Sequence, residues 1–229
     1  MDIQLNRTIW LTTESDKRKK IVLEESPSAH GFDSDIYKIK GEKELIAKIY
    51  HRPFKILNIS AKIAAMIGNP PVRLGGDGKK KSQTLLAWPI GMLTDESEQF
   101  LGYCMPKFDV EKSTTLQNLL SETSRKAFNL SENYQYRIKI TYYLALLIST
   151  LHDCGHYAID LTPEHINIDR ESGDVTIMGC DNFSIISAEG KRFPCNKLSP
   201  ESISPEAIQN NWAPVEFDES QDRFSLAVI

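Results

Sequence analysis

The 229-residue chain has no CxxC pair. Its four cysteines, Cys104, Cys154, Cys180 and Cys195, lie far apart, which argues against a zinc ribbon or dithiol redox motif and fits reduced, cytosolic thiols. No apolar run nears the ~18 residues that a membrane span needs. The longest apolar helix, near 138–151, is interrupted by Lys139, Thr141, Ser149 and Thr150. The opening MDIQLNRTIW lacks the basic-then-apolar order of a secretory signal. Basic charge is not in excess either: 27 Lys and Arg stand against 31 Asp and Glu, a net charge of -4, so no general affinity for nucleic acid or anionic membrane is indicated. The one basic run, Lys17-Arg18-Lys19-Lys20, sits between acidic neighbours and reads as a solvated turn. Internal repeats and low-complexity tracts are absent. These absences lead us to expect a cytoplasmic protein with no membrane partner and no direct nucleic-acid signal in the chain.

What is present is enough for a real core: 41% hydrophobic and 25% charged residues, with a mean hydropathy of -0.34, match a folded domain. The first half reads as short strands. Segments 21–26, 35–39 and 44–50 are rich in β-branched and aromatic residues, with Lys40-Gly41-Glu42-Lys43 as a hairpin turn. Ile56, Ile59, Ile63 and Met66 then recur at helical spacing until Gly68-Asn69-Pro70-Pro71 stops the element. A polar loop at 75–83 precedes two further strands, 85–93 and 99–106. The second half is mainly helical. Thr114-x-x-Gln117 suggests a capping box, and the spacing of Ile140, Tyr143, Leu144, Leu147, Ile148 and Leu151 predicts a helix over about 132–153 that stops at Gly155. Two short strands, 166–169 and 174–179, follow. The proline-rich tail gives way to a helix at RFSLAVI.

The order of five strands and one helix, a linker and a helical half resembles a protein kinase. Three motifs carry the resemblance. ELIAKIY places Lys48 in the third strand, where the kinase pattern has the lysine that pairs the α- and β-phosphates of ATP. LHDCGHYAIDLTPEHINID, residues 151–169, is similar to the catalytic segment, with Asp160 at the position of the catalytic base. DVTIMGCDNFSI, residues 174–185, is similar to the strand and metal loop. That loop looks closest to a bacterial subgroup of kinase domains, some joined to helix-hairpin-helix DNA-binding modules, in which Asp181 matches the second aspartate of I-D-x-D-S-F. The likeness extends to the AWP strand, the GYCMP hinge, Ser204-Pro205-Glu206 and DRFSLAV, where Asp222 resembles the aspartate that opens the next large helix.

Departures from the pattern fall on the phosphate and metal positions. Gly179 stands at the metal-binding aspartate, and His165 stands at the asparagine expected five residues after Asp160. Imidazole is a poor ligand for Mg²⁺, which prefers oxygen; Asn167, two residues on, is the alternative donor. Ala29, Gly31 and Ser34 occupy the three glycine positions of the phosphate loop, and Asp33 or Asp35 would repel phosphates there. The helix after Lys48 has no acidic partner for it, and Ala61 aligns with that position. Each such loss costs about two to four orders of magnitude where it acts as a point loss of electrostatic stabilisation. His152, Cys154, His156 and His165 cluster in sequence but read as structural rather than as a metal or thiol site.

The expected fold is α+β and bilobal: an N-lobe over 1–105 with a five-stranded antiparallel sheet and one helix, and a mainly helical C-lobe over 106–229 truncated after the start of a helix near 222. The resemblance implies ATP and Mg²⁺ as cofactors if nucleotide is bound. It assigns Asp160 and Lys48 as catalytic, Gly31, Lys48 and Met105 as nucleotide-binding, and Asp181 and Asn167 as metal-binding. It implies a pseudokinase acting through a protein partner, with a divergent active Ser/Thr kinase or a non-catalytic interaction module as alternatives.

Overall fold

Alternation along residues 45–50 places Ala47 and Ile49 on one face of a strand and Ile46 and Tyr50 on the other, and all four are buried. Burial on both faces marks a central strand. In the computed structural model, which describes residues 8–13, 15, 18–71, 85–195, 197–209 and 217–229, this segment is β5 (Leu45–Tyr50) of a seven-stranded sheet. The other strands are β1 (Ile9–Thr13), β2 (Arg18–Ile21), β3 (Ala29–His30), β4 (Ser34–Lys38), β7 (Gly91–Thr94) and β8 (Phe100–Pro106), in the order β2-β1-β7-β8-β5-β4-β3. All its pairings are antiparallel. The expected five strands become seven because β1 is added and, in place of the strand expected at 21–26, β2 and β3 lie on either side of it with only an isolated bridge at Leu23 between. The stretch after β2 leaves β1 and pairs with β4 through Lys40 N to Val22 O (2.8 Å), Glu24 N to Lys38 O (2.9 Å) and Ser28 N to Ile36 O (2.7 Å). The two ends of the strand order therefore meet. The sheet curls around a core that includes Ile9, Leu11, Ile21, Leu23, Tyr37, Ile39, Ala47, Ile49, Leu93 and Cys104.

One α-helix packs on this sheet. A 3-10 turn at Pro53–Lys55 leads, through Asn58 in the left-handed region (φ 55°), into α1 (Ile59–Gly68), so the helix starts later than its periodicity indicates. The Trp88 indole N–H donates to the Met66 carbonyl at 2.9 Å and ties the helix to the strand entry. Gly102 of β8 lies so close to β5 that a Cβ there would come within 1.9 Å of the Lys48 carbonyl oxygen. Only glycine permits this approach.

The chain divides into two units, the first comprising 1–70, 88–107 and 187–190, the second 71–87, 108–186 and 191–229. In the second unit, β6 (Leu85–Leu86), β11 (Val175–Ile177), β10 (Ile166–Asp169) and β9 (Ser113–Thr115) form a small sheet in that spatial order, and β12 (Ile185–Ile186) pairs with β13 (Arg192–Phe193). The stretch read as one strand at 85–93 is thus shared between the units. Thr114 lies in β9, so the anticipated capping box does not form. Two short helices, α2 (Gln117–Leu120) and α3 (Glu122–Ala127), follow, and Ser121 caps α3 by accepting from Ser124 N at 3.0 Å. The long helix α4 (Tyr134–Asp153) is capped by Asn133 and buries Ile140, Leu144, Leu147, Ile148 and Leu151. Helices α5 (Pro205–Gln209) and α6 (Glu219–Val228) complete the unit, Asp218 capping α6. The loop expected at 75–83 lies outside the described residues, as do Lys17, Trp212 and Pro214. Among the described residues no helix is long and apolar enough to cross a membrane, and all four cysteines are free thiols.

Candidate functional site

In the first unit, Lys48 projects from β5 opposite Tyr103 of β8, and strand parity puts Tyr50 on the same face. Its ammonium lies 5.4 Å from the Tyr50 ring centroid and 5.7 Å from that of Tyr103, within cation–π range. Both rings are buried. Helix α1 carries no carboxylate. Ala61, the position aligned with the acidic partner, is on the exposed side, and the buried side carries Ile59, Lys62, Ile63 and Met66. Gly31 opens the β3–β4 connection, donating to the Ser34 carbonyl at 2.9 Å, with Phe32 almost fully exposed at its tip. Beside it Asp35 accepts from two imidazoles, His30 Nδ1 at 3.0 Å and His51 Nε2 at 3.1 Å. Partial burial pushes the Asp35 carboxyl up, but the hydrogen bonds from His51 and His30 outweigh it and hold it below its ordinary 3.8. Met105 is buried inside β8, paired with Ile46.

In the second unit the catalytic-type loop follows the end of α4. Tyr157 and Ser184 exchange backbone hydrogen bonds at 2.8 Å, and the buried His156 accepts from Ile186 N at 3.2 Å. The next two amides turn inward. Ala158 N and Ile159 N donate to Asp222 at 2.8 and 2.6 Å, and His152 Nε2 meets the same carboxylate at 2.9 Å. Asp222 is completely buried. Its three partners hold Ile159 at φ 62°, a costly conformation for a β-branched residue. That strain sets the direction in which Asp160 leaves the chain.

Asp160 is itself buried, at 7% exposure. Its Oδ1 accepts from Ser199 N at 2.7 Å and Ser202 Oγ at 2.8 Å, and its Oδ2 accepts from Ser199 Oγ at 3.2 Å. Both oxygens are therefore occupied by the chain's own 199–202 segment. That segment is anchored in turn. Gln221 Nε2 donates to the Ser202 carbonyl at 2.5 Å, and Ser225 Oγ donates to it at 2.9 Å, all three residues being buried. The sequence gives a weak signal for Ser199 and Ser202, two serines around Pro200-Glu201, and none for Gln221.

Gly179 has φ 68° and ψ 24°, the left-handed region. A Cβ at this position would meet only Cδ2 of His165, at 3.9 Å. His165 is exposed at the end of the 3-10 turn Pro163–His165, its Nδ1 3.1 Å from Thr162 Oγ1. Asp181 is buried in the following turn, Cys180–Asn182. Asn167 lies in β10 with its amide nitrogen donating to Met178 Sδ at 2.8 Å. The structure brings together the two positions where the kinase pattern has metal ligands and fills them with glycine and imidazole. Mg²⁺ requires a near-octahedral set of oxygens. Positions 165 and 179 offer no side-chain oxygen, which leaves Asn167 and the buried Asp181 as the oxygen donors, and among the described residues no group of three His, Cys, Asp or Glu could hold a metal ion.

No family model and no curated protein matches the chain. Solved structures do. A rhoptry kinase from Toxoplasma gondii is 14% identical with a TM-score of 0.57, covering 96% of this chain and 64% of its own. ROP2 from the same organism, described as a virulence factor with a protein-kinase fold and no enzymatic activity, is 13% identical with a TM-score of 0.60, covering 96% and 65%. The kinase domain of a T. gondii rhoptry antigen is 13% identical with a TM-score of 0.55, covering 91% and 62%. The chain spans just under two thirds of each of these proteins. At such identities the likeness is one of architecture: the chain has a protein-kinase-like α+β fold.

Proposed function

We propose that the chain is a pseudokinase, a kinase-fold regulator that binds ATP weakly, transfers its γ-phosphoryl group inefficiently or not at all, and acts through a protein partner in the cytoplasm. One observation carries the reading. Gly179, in a left-handed conformation beside His165, stands where an active enzyme holds its magnesium carboxylate, and loss of that electrostatic stabilisation removes orders of magnitude from phosphoryl transfer. Lys48 and Met105 remain the residues for phosphate and adenine, with Gly31 at the phosphate loop. ROP2, described as having a protein-kinase fold and no enzymatic activity, is an instance of this fold without activity in another protein. The affinity to the bacterial subgroup, carried by Asp181 and Phe183, belongs to the same proposal.

The test is incorporation of γ-labelled phosphate into the chain and into a general acceptor protein. Incorporation should lie at or little above that of the Asp160→Ala variant. Incorporation at the roughly 1–100 s⁻¹ of active kinases, lost in Asp160→Ala and Asp181→Ala, would overturn the reading. It would favour a divergent Ser/Thr kinase, for which the buried Asp181, two residues after Gly179 in the turn that Gly179 opens, is the supporting observation.

A further inference from the structure

The whole-chain charge hides an uneven distribution. Between Glu44 and Asp77 the sequence holds no carboxylate, while Lys48, Arg52, Lys55, Lys62 and Arg73 are cations. The connection from β5 to α1, inside this stretch, also carries two of the three most exposed large hydrophobic side chains among the described residues, Phe54 at 82% and Leu57 at 80%. The third, Phe32 at 95%, tips the β3–β4 connection. All three belong to the first unit, and they gather at one end of its sheet. Ser34 stands opposite Tyr50 in the β4–β5 register, and His51 N donates to the Asp33 carbonyl at 2.8 Å, so the two connections leave the sheet side by side. Slack backbone does not account for the exposure. Pro53 and Ile56 are half-buried, Lys55 N and Ile56 N close the 3-10 turn on Arg52 O and Pro53 O at 3.0 and 3.1 Å, and Gly31 N closes the other tip on Ser34 O at 2.9 Å. Arg52 and Lys55, on either side of Phe54, are exposed and form no ion pair among the described residues. The carboxylates beside them are the half-buried Asp33 and Asp35, and Asp35 is held between His30 and His51.

Single exposed apolar side chains are ordinary, but a cluster marks a contact surface. Two phenyl rings and a leucine offer about 500 Å² of apolar area, short of the ~800 Å² that each side of a standard protein interface buries. A bilayer needs no matched pocket: protruding apolar side chains enter the boundary between headgroups and acyl chains, and each Lys or Arg beside them gains from anionic headgroups. We infer that this end of the first unit docks on an anionic bilayer surface, Phe32, Phe54 and Leu57 entering the headgroup–acyl boundary and Arg52 and Lys55 lying among the headgroups. The inference goes beyond the function proposed above and involves neither nucleotide nor metal. It replaces the expectation of no membrane partner, which rests on a net charge averaged over the chain.

The experiment is flotation of the full chain with vesicles of phosphatidylcholine and phosphatidylserine in a 70:30 ratio, and with vesicles of phosphatidylcholine alone. The mixed vesicles should bind reversibly with a constant of about 10⁴ M⁻¹, the strength of a single myristoyl chain. Binding to phosphatidylcholine alone should be weaker by about tenfold or more. Arg52→Gln with Lys55→Gln should weaken binding to the mixed vesicles about thirtyfold, and Phe54→Ser with Leu57→Ser should weaken it at least tenfold. All four side chains are exposed, so the melting temperature should not change. Tyr134→Ser with Tyr142→Ser, which removes similarly exposed rings from α4 of the second unit, should bind as the wild type does. In a chain that keeps its apolar tip, Phe54→Trp should gain fluorescence quenching by lipids brominated on the acyl chain. Absence of binding at about 1 mM lipid, a hundredfold below the half-saturation that 10⁴ M⁻¹ implies in affinity, would overturn the inference and leave the proposed function untouched. Equal binding to phosphatidylcholine alone, or undiminished binding by Phe54→Ser with Leu57→Ser, would overturn it as well.

Discussion

Removing the Asp222 carboxylate should undo the catalytic-type loop while leaving its sequence intact. Asp222 is fully buried and accepts from Ala158 N, Ile159 N and His152 Nε2 at 2.8, 2.6 and 2.9 Å. Asp222→Ala leaves two buried amides and an imidazole without an acceptor. Each stranded donor costs about 1–3 kcal/mol, and Ile159, at φ 62°, loses the contacts that hold it in a strained well worth about 1–3 kcal/mol. Relaxation of Ile159 to an ordinary conformation refunds part of that strain, so the expected net loss is about 3–5 kcal/mol, the range for breaking a buried charged network. Urea unfolding followed by far-ultraviolet circular dichroism measures the total, and hydrogen exchange at the Ala158 and Ile159 amides measures the local part. Their protection should fall about a hundredfold or more. Asp218→Ala, which removes only the exposed cap of the same helix, is the control and should cost about 0.5–2 kcal/mol. A loss at Asp222 no larger than at Asp218, with both amides still protected, would refute the reasoning.

Gly102→Ala should cost about 2–3 kcal/mol, because its Cβ would lie 1.9 Å from the Lys48 carbonyl and β5 and β8 must part; an unchanged melting temperature would contradict the close approach. Asp35 is held below its ordinary 3.8 by His51 and His30. A depressed carboxylate stabilises above the unfolded value and loses that contribution as pH falls through the folded one, so the tie should weaken below about pH 3.8. Acid unfolding followed at β4 amides would show this step, and it should vanish in Asp35→Asn. Burial pushes the Cys104 thiol up to about 12, Glu42 adding to the shift, so native protein at pH 8 should leave Cys104 unalkylated by iodoacetamide while the half-buried Cys154 and Cys195 react. Modification of Cys104 at the rate of those two would count against its burial in the core.

The elements that were legible in the sequence are those whose burial repeats along the chain. Helix α4 announces itself because Ile140, Leu144, Leu147 and Leu151 face one core, and β10 and β11 do so because their short apolar runs are bounded by turns. β2 was hidden for the opposite reason. Arg18, Lys19 and Lys20 are all exposed and only Ile21 is buried, so a true edge strand looked like a solvated turn. The strand at 85–93 misled because its apolar residues serve two different sheets, with Ala87 N donating to Ile177 O on one side and Ile90 N to Cys104 O on the other. Motif spacing singles out Lys48, Asp160 and Gly179 as candidates. The partners that decide what those residues do are long-range: Tyr103 lies across a strand, Ser199 and Ser202 about forty positions on, and Asp222 more than sixty from the amides it holds. No local pattern encodes such pairs, because a lone buried acceptor leaves no periodicity.

The curled sheet also sets a timetable for synthesis. Its first strand, β1, pairs with β7, Trp10 standing opposite Thr94, and β8 then bridges β7 to β5. The early hairpins of β1 with β2 and of β4 with β5 can form on emergence from the ribosome, but the second edge of β1 has no strand to pair with until about eighty further residues have been made. Contacts of that separation are slow to form. A nascent chain paused before β7 therefore carries an unpaired backbone edge along β1, which makes this interval the one in which a chaperone has most to hold.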